Sequence, residues 1–355
     1  MTSPHVLIVG AGPTGLTAAV ELARRGIMPV VIEKRKSVSN LSRAVGILPR
    51  SMELLGPSGV AKSIRNEAVA FQQAIFHNRA KPMATIRLNT LKNRNKRIFG
   101  LAQDRTEKHL RDAFRGYGGK INYGAELLSL SQNDTGISVS ILGKAFRFDT
   151  VIGADGAAST VREALHIPFN GYELPEVWSI ADVDVRGWKN PRAFQSYILD
   201  HGGIVVVVPL KRSRFRVIAN RPYALASLPV PMNVTRVHRA AKFNISVRQA
   251  ESYQSGRVFL AGDAAHCHSP VGGRGMNLGI ADAADLAERI VNDTTEGYHA
   301  SRYPIGNRTI KLSERARHTI TSTHPAIRFF LRSFLRTTVH SPLLQRRFVM
   351  NALDL

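Results

Sequence analysis

The sequence predicts an α/β protein with three parts: a parallel strand–helix–strand unit, an inserted antiparallel sheet and a helical C-terminal segment. Three observations predict it. Val6–Glu33 reads as an apolar strand, a glycine-rich turn, a helix and a second strand. Residues 177–219 carry short apolar runs with the pattern of antiparallel strands. From Asn292 onward the chain looks helical and basic, with prolines at 304, 325 and 342 that read as breaks.

The first unit is of the Rossmann type. Val6–Val9 is apolar and β-branched-rich, as a buried strand requires. Gly10, Gly12 and Gly15 then form G-x-G-x-x-G around Pro13 and Thr14. Gly10 allows the sharp turn, Gly12 lets a pyrophosphate approach the backbone, and Gly15 lets the helix pack close to the strand. The N–H groups and dipole of the helix N-terminus hold the pyrophosphate. The pattern predicts a helix over Thr17–Arg25, stopped by Gly26, and a second strand over Pro29–Ile32 that ends on Glu33. Glu33 lies 18 residues after Gly15, where an acid accepts hydrogen bonds from a ribose. Lys34 then opens a polar loop, with Arg43 and Arg50 beyond it.

The remaining elements follow in order. Met52–Leu55 begins a helix, and Ala68–Phe76 and Met83–Leu88 read as strands leaving the first domain. Gln103–Phe114 has helical spacing, with Asp104 or Thr106 as its N-cap. Ile121–Tyr123, Leu127–Leu130, Ile137–Ile141 and Phe146–Phe148 read as one small meander. Val177–Val185, Phe194–Leu199, Ile204–Val208 and Arg214–Ala219 read as antiparallel strands. Arg221–Gln254 is ambiguous, with a helix from near Val237; a strand over Arg257–Ala261 and a helix over Ala281–Ile290 close the series. The chain thus interleaves. A discontinuous nucleotide-binding domain is expected over residues 1–70, 100–163 and 255–295, a substrate domain over 71–99 and 164–254, and a helical segment over 296–355.

Two further motifs carry chemistry. Gly153-Ala154-Asp155-Gly156 follows one apolar strand, and Gly262-Asp263 follows another, with glycines continuing to Gly279. Each places an Asp at the carboxyl end of a strand, where open α/β sheets bind ligands. The helix from Met276 presents its N-terminus to a phosphate or a developing anion. His266, Cys267 and His268 are adjacent, and adjacent side chains rarely converge on a metal; packing and hydrogen bonding are expected of them, and no metal site. Trp178 and Trp188 read as core or sheet residues.

The charge balance is 49 Lys and Arg against 26 Asp and Glu, a net +23. The cations are spread along the chain, which predicts a solvated basic surface and no nucleic-acid partner. One cysteine, Cys267, permits no intramolecular disulfide and fits a reducing, cytoplasmic setting. No stretch reaches the ~18 apolar residues of a membrane span. His324–Arg347 combines phenylalanines with arginines. It is expected to pack its apolar stripe on the core, with weak membrane-surface contact as the alternative.

The three fingerprints together, GAGPTGL with Glu33, GADG at 153–156, and GDAAH with PVGGRGMNLGIADAADLA from 262, resemble those of the FAD-dependent class A aromatic monooxygenases. The resemblance covers most of residues 5–290. It implies a glutathione-reductase-like FAD domain. Gly10, Gly12, Pro13, Thr14, Gly15, Glu33 and Lys34 would line the ADP half, Arg43 would reach the cofactor, and Gln103 would lie near the ribityl chain. Asp155 matches an aspartate linked to FAD and NADPH, and Gly262 with Asp263 matches the ribityl site. Pro270, Gly273, Gly275, Met276 and Asn277 match the loop beside the isoalloxazine ring. Pro270 and Gly273 form the ring's catalytic environment, with no side-chain acid or base assigned. The implied chemistry is reduction of FAD by NAD(P)H, held in a surface groove. A flavin C4a-hydroperoxide then transfers one oxygen to an aromatic or polyketide-like molecule, in a monomer or homodimer. The alternatives are a related FAD-dependent oxidoreductase of another reaction type and a basic FAD-binding protein without oxygenase activity. The stretch between Arg162 and Gly262 reads as trimmed for a complete substrate domain.

Overall fold

Val6–Val9 is buried along its whole length and pairs in parallel on both sides, with Thr150–Gly153 and with Val30–Glu33. A strand covered on both faces is why this run is continuously apolar rather than alternating. The structure is a computed structural model that describes residues 5–38, 44–88 and 97–353. The central sheet runs Gln254–Ser255, Val258–Leu260, Thr150–Gly153, Val6–Val9, Val30–Glu33, Ile121–Tyr123. All pairs are parallel except the antiparallel Gln254–Ser255 edge.

The first helix spans Pro13–Ala23, four residues earlier than Thr17. Gly12 is its N-cap and Pro13 sits in the first turn, where a missing N–H costs no helical bond. The helix packs between Gly275–Val291 and Gln103–Gly116. Ala102, not Asp104 or Thr106, caps Gln103–Gly116; Asp104 lies in the first turn, facing the dipole, and Thr106 is buried. Ile121–Tyr123 leaves the expected meander and joins the edge of the parallel sheet beside Val30–Glu33. It follows a helix that crosses the sheet, and that connection delivers a parallel neighbour. Leu127–Asn133, Gly136–Ile141 and Lys144–Phe148 form the meander.

The second large sheet has seven strands, in the order Val234–Phe243, Trp178–Val185, Arg214–Ala219, Ile204–Pro209, Ala193–Ile198, Gln73–Asn78, Lys81–Arg87. The pairing of Gln73–Asn78 with Ala193–Ile198 is parallel and the others are antiparallel. Arg221–Gln254 holds no helix. It supplies the edge strand Val234–Phe243 and the strand Ser246–Ala250. An edge strand with exposed Arg236, His238 and Lys242 shows little apolar alternation. Its pairing with Trp178–Val185 shifts register twice, which breaks what alternation there is. Trp178 is buried in this sheet, and Trp188 packs over Phe215 at 6.2 Å between ring centroids.

Pro304 does not break the chain: Tyr298–Thr321 is one helix through it. The helix is held by buried Tyr298 and Arg302 and by Gly306, where a Cβ would collide with the Tyr253 hydroxyl. Pro325 and Pro342 do begin new helices, Pro325–His340 and Pro342–Leu353. The first of these buries Leu335 and Thr338 but leaves Phe329, Phe330 and Phe334 exposed, so the expected packing of its whole apolar stripe fails. Val349 of the last helix is buried with Val45, Phe71 and Leu210.

Candidate functional site

The glycines of the first turn divide the labour that their spacing predicts. Gly10 has φ +104, and a Cβ there would sit 2.8 Å from the Ala154 carbonyl carbon and 3.0 Å from Asp155 Cα. A Cβ on Gly15 would strike the Gly10 carbonyl and press on Ala154 Cβ at 3.3 Å. Around Gly12 nothing lies within 4 Å of such an atom. Two glycines are therefore filled by protein, and the third faces open space at the N-terminus of Pro13–Ala23. That helix end carries no side-chain cap and no acid in its first turn. Such an end leaves backbone donors and a positive dipole for an anion.

Glu33 ends the second strand, buried, and Oε2 accepts the Ala11 N–H at 2.9 Å. The cation that folds over it is Arg35. Arg35 Nε donates to Oε1 at 2.9 Å and Nη2 to Oε2 at 3.0 Å, while Lys34 is exposed. Burial pushes the Glu33 carboxyl up, but the Arg35 and Ala11 hydrogen bonds outweigh it and hold the group below its ordinary value.

The second and third fingerprints lock onto the first. Asp155 Oδ2 accepts the Val161 N–H at 3.2 Å, and Oδ1 is buried with no hydrogen-bond partner. Burial pushes its carboxyl up against hydrogen bonds from Ser159 and Val161. Thr14 wedges between Gly262 and Gly279. A Cβ on Gly262 would lie 3.1 Å from Thr14 Cβ, and one on Gly279 would lie 3.5 Å from it. Gly262 has φ +62, and Asp263 beside it presents an exposed side chain. Arg162, 5% exposed, ties the two Asp turns together: Nη2 donates to the Ala157 carbonyl at 2.9 Å and Nη1 to the Ala264 carbonyl at 3.1 Å.

A buried ion cluster holds the third turn from beneath. Asp282 Oδ2 accepts from the Gly262 N–H at 3.1 Å and pairs with His266 Nε2 at 2.6 Å. Arg302 Nε donates to Oδ1 at 2.8 Å. Burial raises the Asp282 carboxyl, but His266 and Arg302 bring it down to about 2. His266 is thus a structural hydrogen-bonding group. His268 Nδ1 contacts the Ser269 carbonyl at 2.8 Å, and burial pushes its imidazole down to about 4, so it is neutral at pH 7.

The loop expected beside the ring turns at Pro270–Gly273, where the Gly273 N–H donates to the Pro270 carbonyl at 3.0 Å. Gly272 and Gly273 have φ +94 and +63. The helix starts at Gly275, one residue before the expected Met276, and buries Met276. Asn277 is fully buried. Oδ1 accepts from Leu48 N and Ser51 Oγ at 2.8 Å each, and Nδ2 donates to the Gly46 and Gly273 carbonyls at 2.9 Å each. All its side-chain valences are spent on bolting this loop to Gly46–Ser51, so only its backbone is left to face a ligand. Gln103 does similar work: Oε1 accepts the Ala44 N–H at 3.1 Å, and Nε2 donates to buried Glu107 at 2.9 Å. Arg43 lies outside the described residues. Sequence reasoning missed Arg216, 0% exposed, whose guanidinium grips Asp182 at 2.6 and 2.7 Å and donates to the Ala44 carbonyl at 3.2 Å. It joins the seven-stranded sheet to Ala44, two residues before the Gly46–Ile47 strand.

These residues fit an extended dinucleotide. The open face of Gly12, the uncapped helix end, the unpartnered Asp155 oxygen and the exposed Asp263 lie on segments that touch through Gly10–Ala154 and Thr14–Gly262. Comparison with known proteins agrees. The family model described as "FAD binding domain" matches residues 3–311. Pentachlorophenol 4-monooxygenase of Sphingobium chlorophenolicum is 33% identical over 90% of this chain, which spans 65% of that protein's length. Rifampicin monooxygenase of Streptomyces venezuelae is 31% identical over 90% of this chain and 72% of its own. The crystal structure of p-nitrophenol 4-monooxygenase from Pseudomonas putida superposes with a TM-score of 0.89 over 98% of this chain and 97% of that one, at 23% identity, and so supports the fold.

Proposed function

We infer, for a chain that belongs to the FAD-binding family of class A aromatic hydroxylases, that it hydroxylates an aromatic or polyketide-like small molecule with NAD(P)H and O₂. The observation that supports this most is the interlocking of the three fingerprints through Gly10 on Ala154 and Thr14 on Gly262 and Gly279. Bound FAD supplies electron transfer from the pyridine nucleotide and activation of O₂.

The chain's own residues bind and orient. The Gly12 turn and the start of Pro13–Ala23 would receive the pyrophosphate, and Glu33, held by Arg35, the adenosine ribose. Asp155 and Asp263 would meet hydroxyls of the linker. The backbone of Gly273–Asn277, bolted by the Asn277 side chain, would present donors and a helix dipole to the electron-rich edge of the ring, favouring negative charge there. The seven-stranded sheet, whose strands lie within Gln73–Arg87 and Trp178–Phe243, would close over the ring and keep water from it. A single cysteine suits work in the reducing cytoplasm.

The test is reconstitution with FAD, then NADH and NADPH consumption across a panel of phenols and polyketide aromatics, with product mass. The expected result is ligand-stimulated consumption and a product heavier by one oxygen. Firm FAD binding with no stimulation by any ligand and no added oxygen would overturn the oxygenase reading and leave an FAD-binding protein of another kind.

A further inference from the structure

We propose that the outer face of the two C-terminal helices docks on an anionic phospholipid surface. In Pro325–His340, Ile327, Phe330 and Phe334 recur at i, i+3 and i+7 and form one stripe, exposed by 42%, 68% and 48%. Phe329 is 65% exposed and packs edge-on against Phe330 at 5.9 Å between ring centroids. In Pro342–Leu353, Leu343 and Met350 are 75% and 41% exposed. These six are a third of the eighteen large hydrophobic residues exposed among the described residues, on two consecutive helices.

The stripe cannot rotate inward, because the opposite face is pinned. Leu335 is buried, Arg328 Nη2 donates to the Leu199 carbonyl at 3.4 Å, and Arg332 Nη2 donates to Asn78 Oδ1 at 3.1 Å. Arg336, Arg346 and Arg347 are exposed. From Tyr298 to Leu353 the sequence has ten Lys and Arg and one acid, Glu314. The helix before the stripe adds an open groove of about 360 Å³ lined by Arg308, Lys311 and Arg315 with Pro304, Asn307 and Leu312.

Charge selects the occupant. A second copy would set one +23 chain against another and these arginines against themselves. Nucleic acid would take the arginines and leave the phenylalanine stripe in water. An anionic bilayer satisfies both, with rings at the headgroup–acyl boundary and guanidinium groups among phosphates. No helix among the described residues is long and apolar enough to cross a membrane, so the helices would lie on the surface. Val349, on the inner side of the last helix, shares a buried cluster with Val45, next to the Gly46–Ile47 strand that Asn277 holds, so this helix lies near the candidate site. An apolar aromatic substrate could then be collected from lipid.

The test is sedimentation of the full chain with vesicles of phosphatidylcholine alone or mixed with phosphatidylglycerol, in about 150 mM salt, where free surface charges are screened beyond about 8 Å. The wild type is expected to bind the mixed vesicles. Phe330→Ser/Phe334→Ser, which keeps the charge, is expected to bind at least about tenfold more weakly, with unchanged melting temperature and FAD content. Arg336→Gln/Arg346→Gln/Arg347→Gln should lose the preference for anionic lipid. Phe330→Trp emission should shift to the blue on mixed vesicles only. Equal binding by the wild type and the serine variant would overturn the proposal, as would absence of vesicle binding. Dimerisation in sedimentation velocity that the serine variant abolishes, without lipid binding, would assign the face to a second copy instead.

Discussion

Replacing Gly12 and Gly10 by alanine separates binding from folding within one turn. At Gly10 the new Cβ meets a backbone φ of +104 and the Ala154 carbonyl group. The left-handed backbone alone costs an L residue about 1–2 kcal/mol. The collision with backbone that cannot rotate away brings the total to about 3 kcal/mol or more. At Gly12 the backbone is extended, with φ −78 and ψ −177, and no protein atom lies within 4 Å of the new methyl. Losing glycine at an N-cap costs up to about 1 kcal/mol, and stiffening the unfolded chain returns about half of that. The methyl does occupy the path by which a pyrophosphate nears the backbone. Withholding one or two close backbone hydrogen bonds to a charged group costs about 1.5–3 kcal/mol, or roughly ten- to a hundredfold in affinity. The assay is a thermal melt of the apoprotein with an FAD titration followed by quenching of flavin fluorescence. Gly12→Ala should melt within a few degrees of wild type and bind FAD at least tenfold more weakly, and Gly10→Ala should melt far lower. If Gly12→Ala binds FAD like the wild type, the open face of that glycine is not the phosphate cradle.

Two further outcomes follow from the buried charges. Asp282→Asn should cost about 3 kcal/mol at pH 7, because His266 and Arg302 lose their shared anion in a buried site. Since the native carboxyl titrates near 2, below its unfolded value, its contribution of about 2 kcal/mol is present above pH ~4 and vanishes as pH falls through ~2. Melts across that range should show the acid loss in wild type and a shallower one in the variant; parallel curves would refute the coupling. Arg216→Met should destabilise by about 3–5 kcal/mol by stranding Asp182. Arg216→Met/Asp182→Leu should recover most of that loss, as measured by denaturant midpoints, because an apolar pair leaves no buried charge unpaired.

The turn chemistry was legible because its causes are local. Gly10 and Gly15 are demanded by a φ value and a close approach, and both write themselves into spacing. The Ala44–Arg216–Asp182 link was not legible, because its members lie 172 and 34 residues apart and no period connects them. Arg162 sits inside the GADGAASTVRE stretch, so a signal existed; its two carbonyl partners at Ala157 and Ala264 belong to different fingerprints, and only the fold unites them. Asn277 carried a role in flavin binding by resemblance, yet its side chain is spent on the protein. The strand at Val234–Phe243 escaped because an edge exposed to water imposes no apolar alternation on Arg236, His238 and Arg239. The Arg35 clamp on Glu33 escaped because the chain's direction after a strand end is set by the turn, which the spacing does not encode.

The most direct test of the account is turnover of the FAD-loaded chain under ¹⁸O₂ with NADPH or NADH and a phenol that stimulates consumption. One ¹⁸O per product ring is the predicted result. A product carrying oxygen from water, or nicotinamide oxidation that yields only hydrogen peroxide with every ring offered, would contradict it.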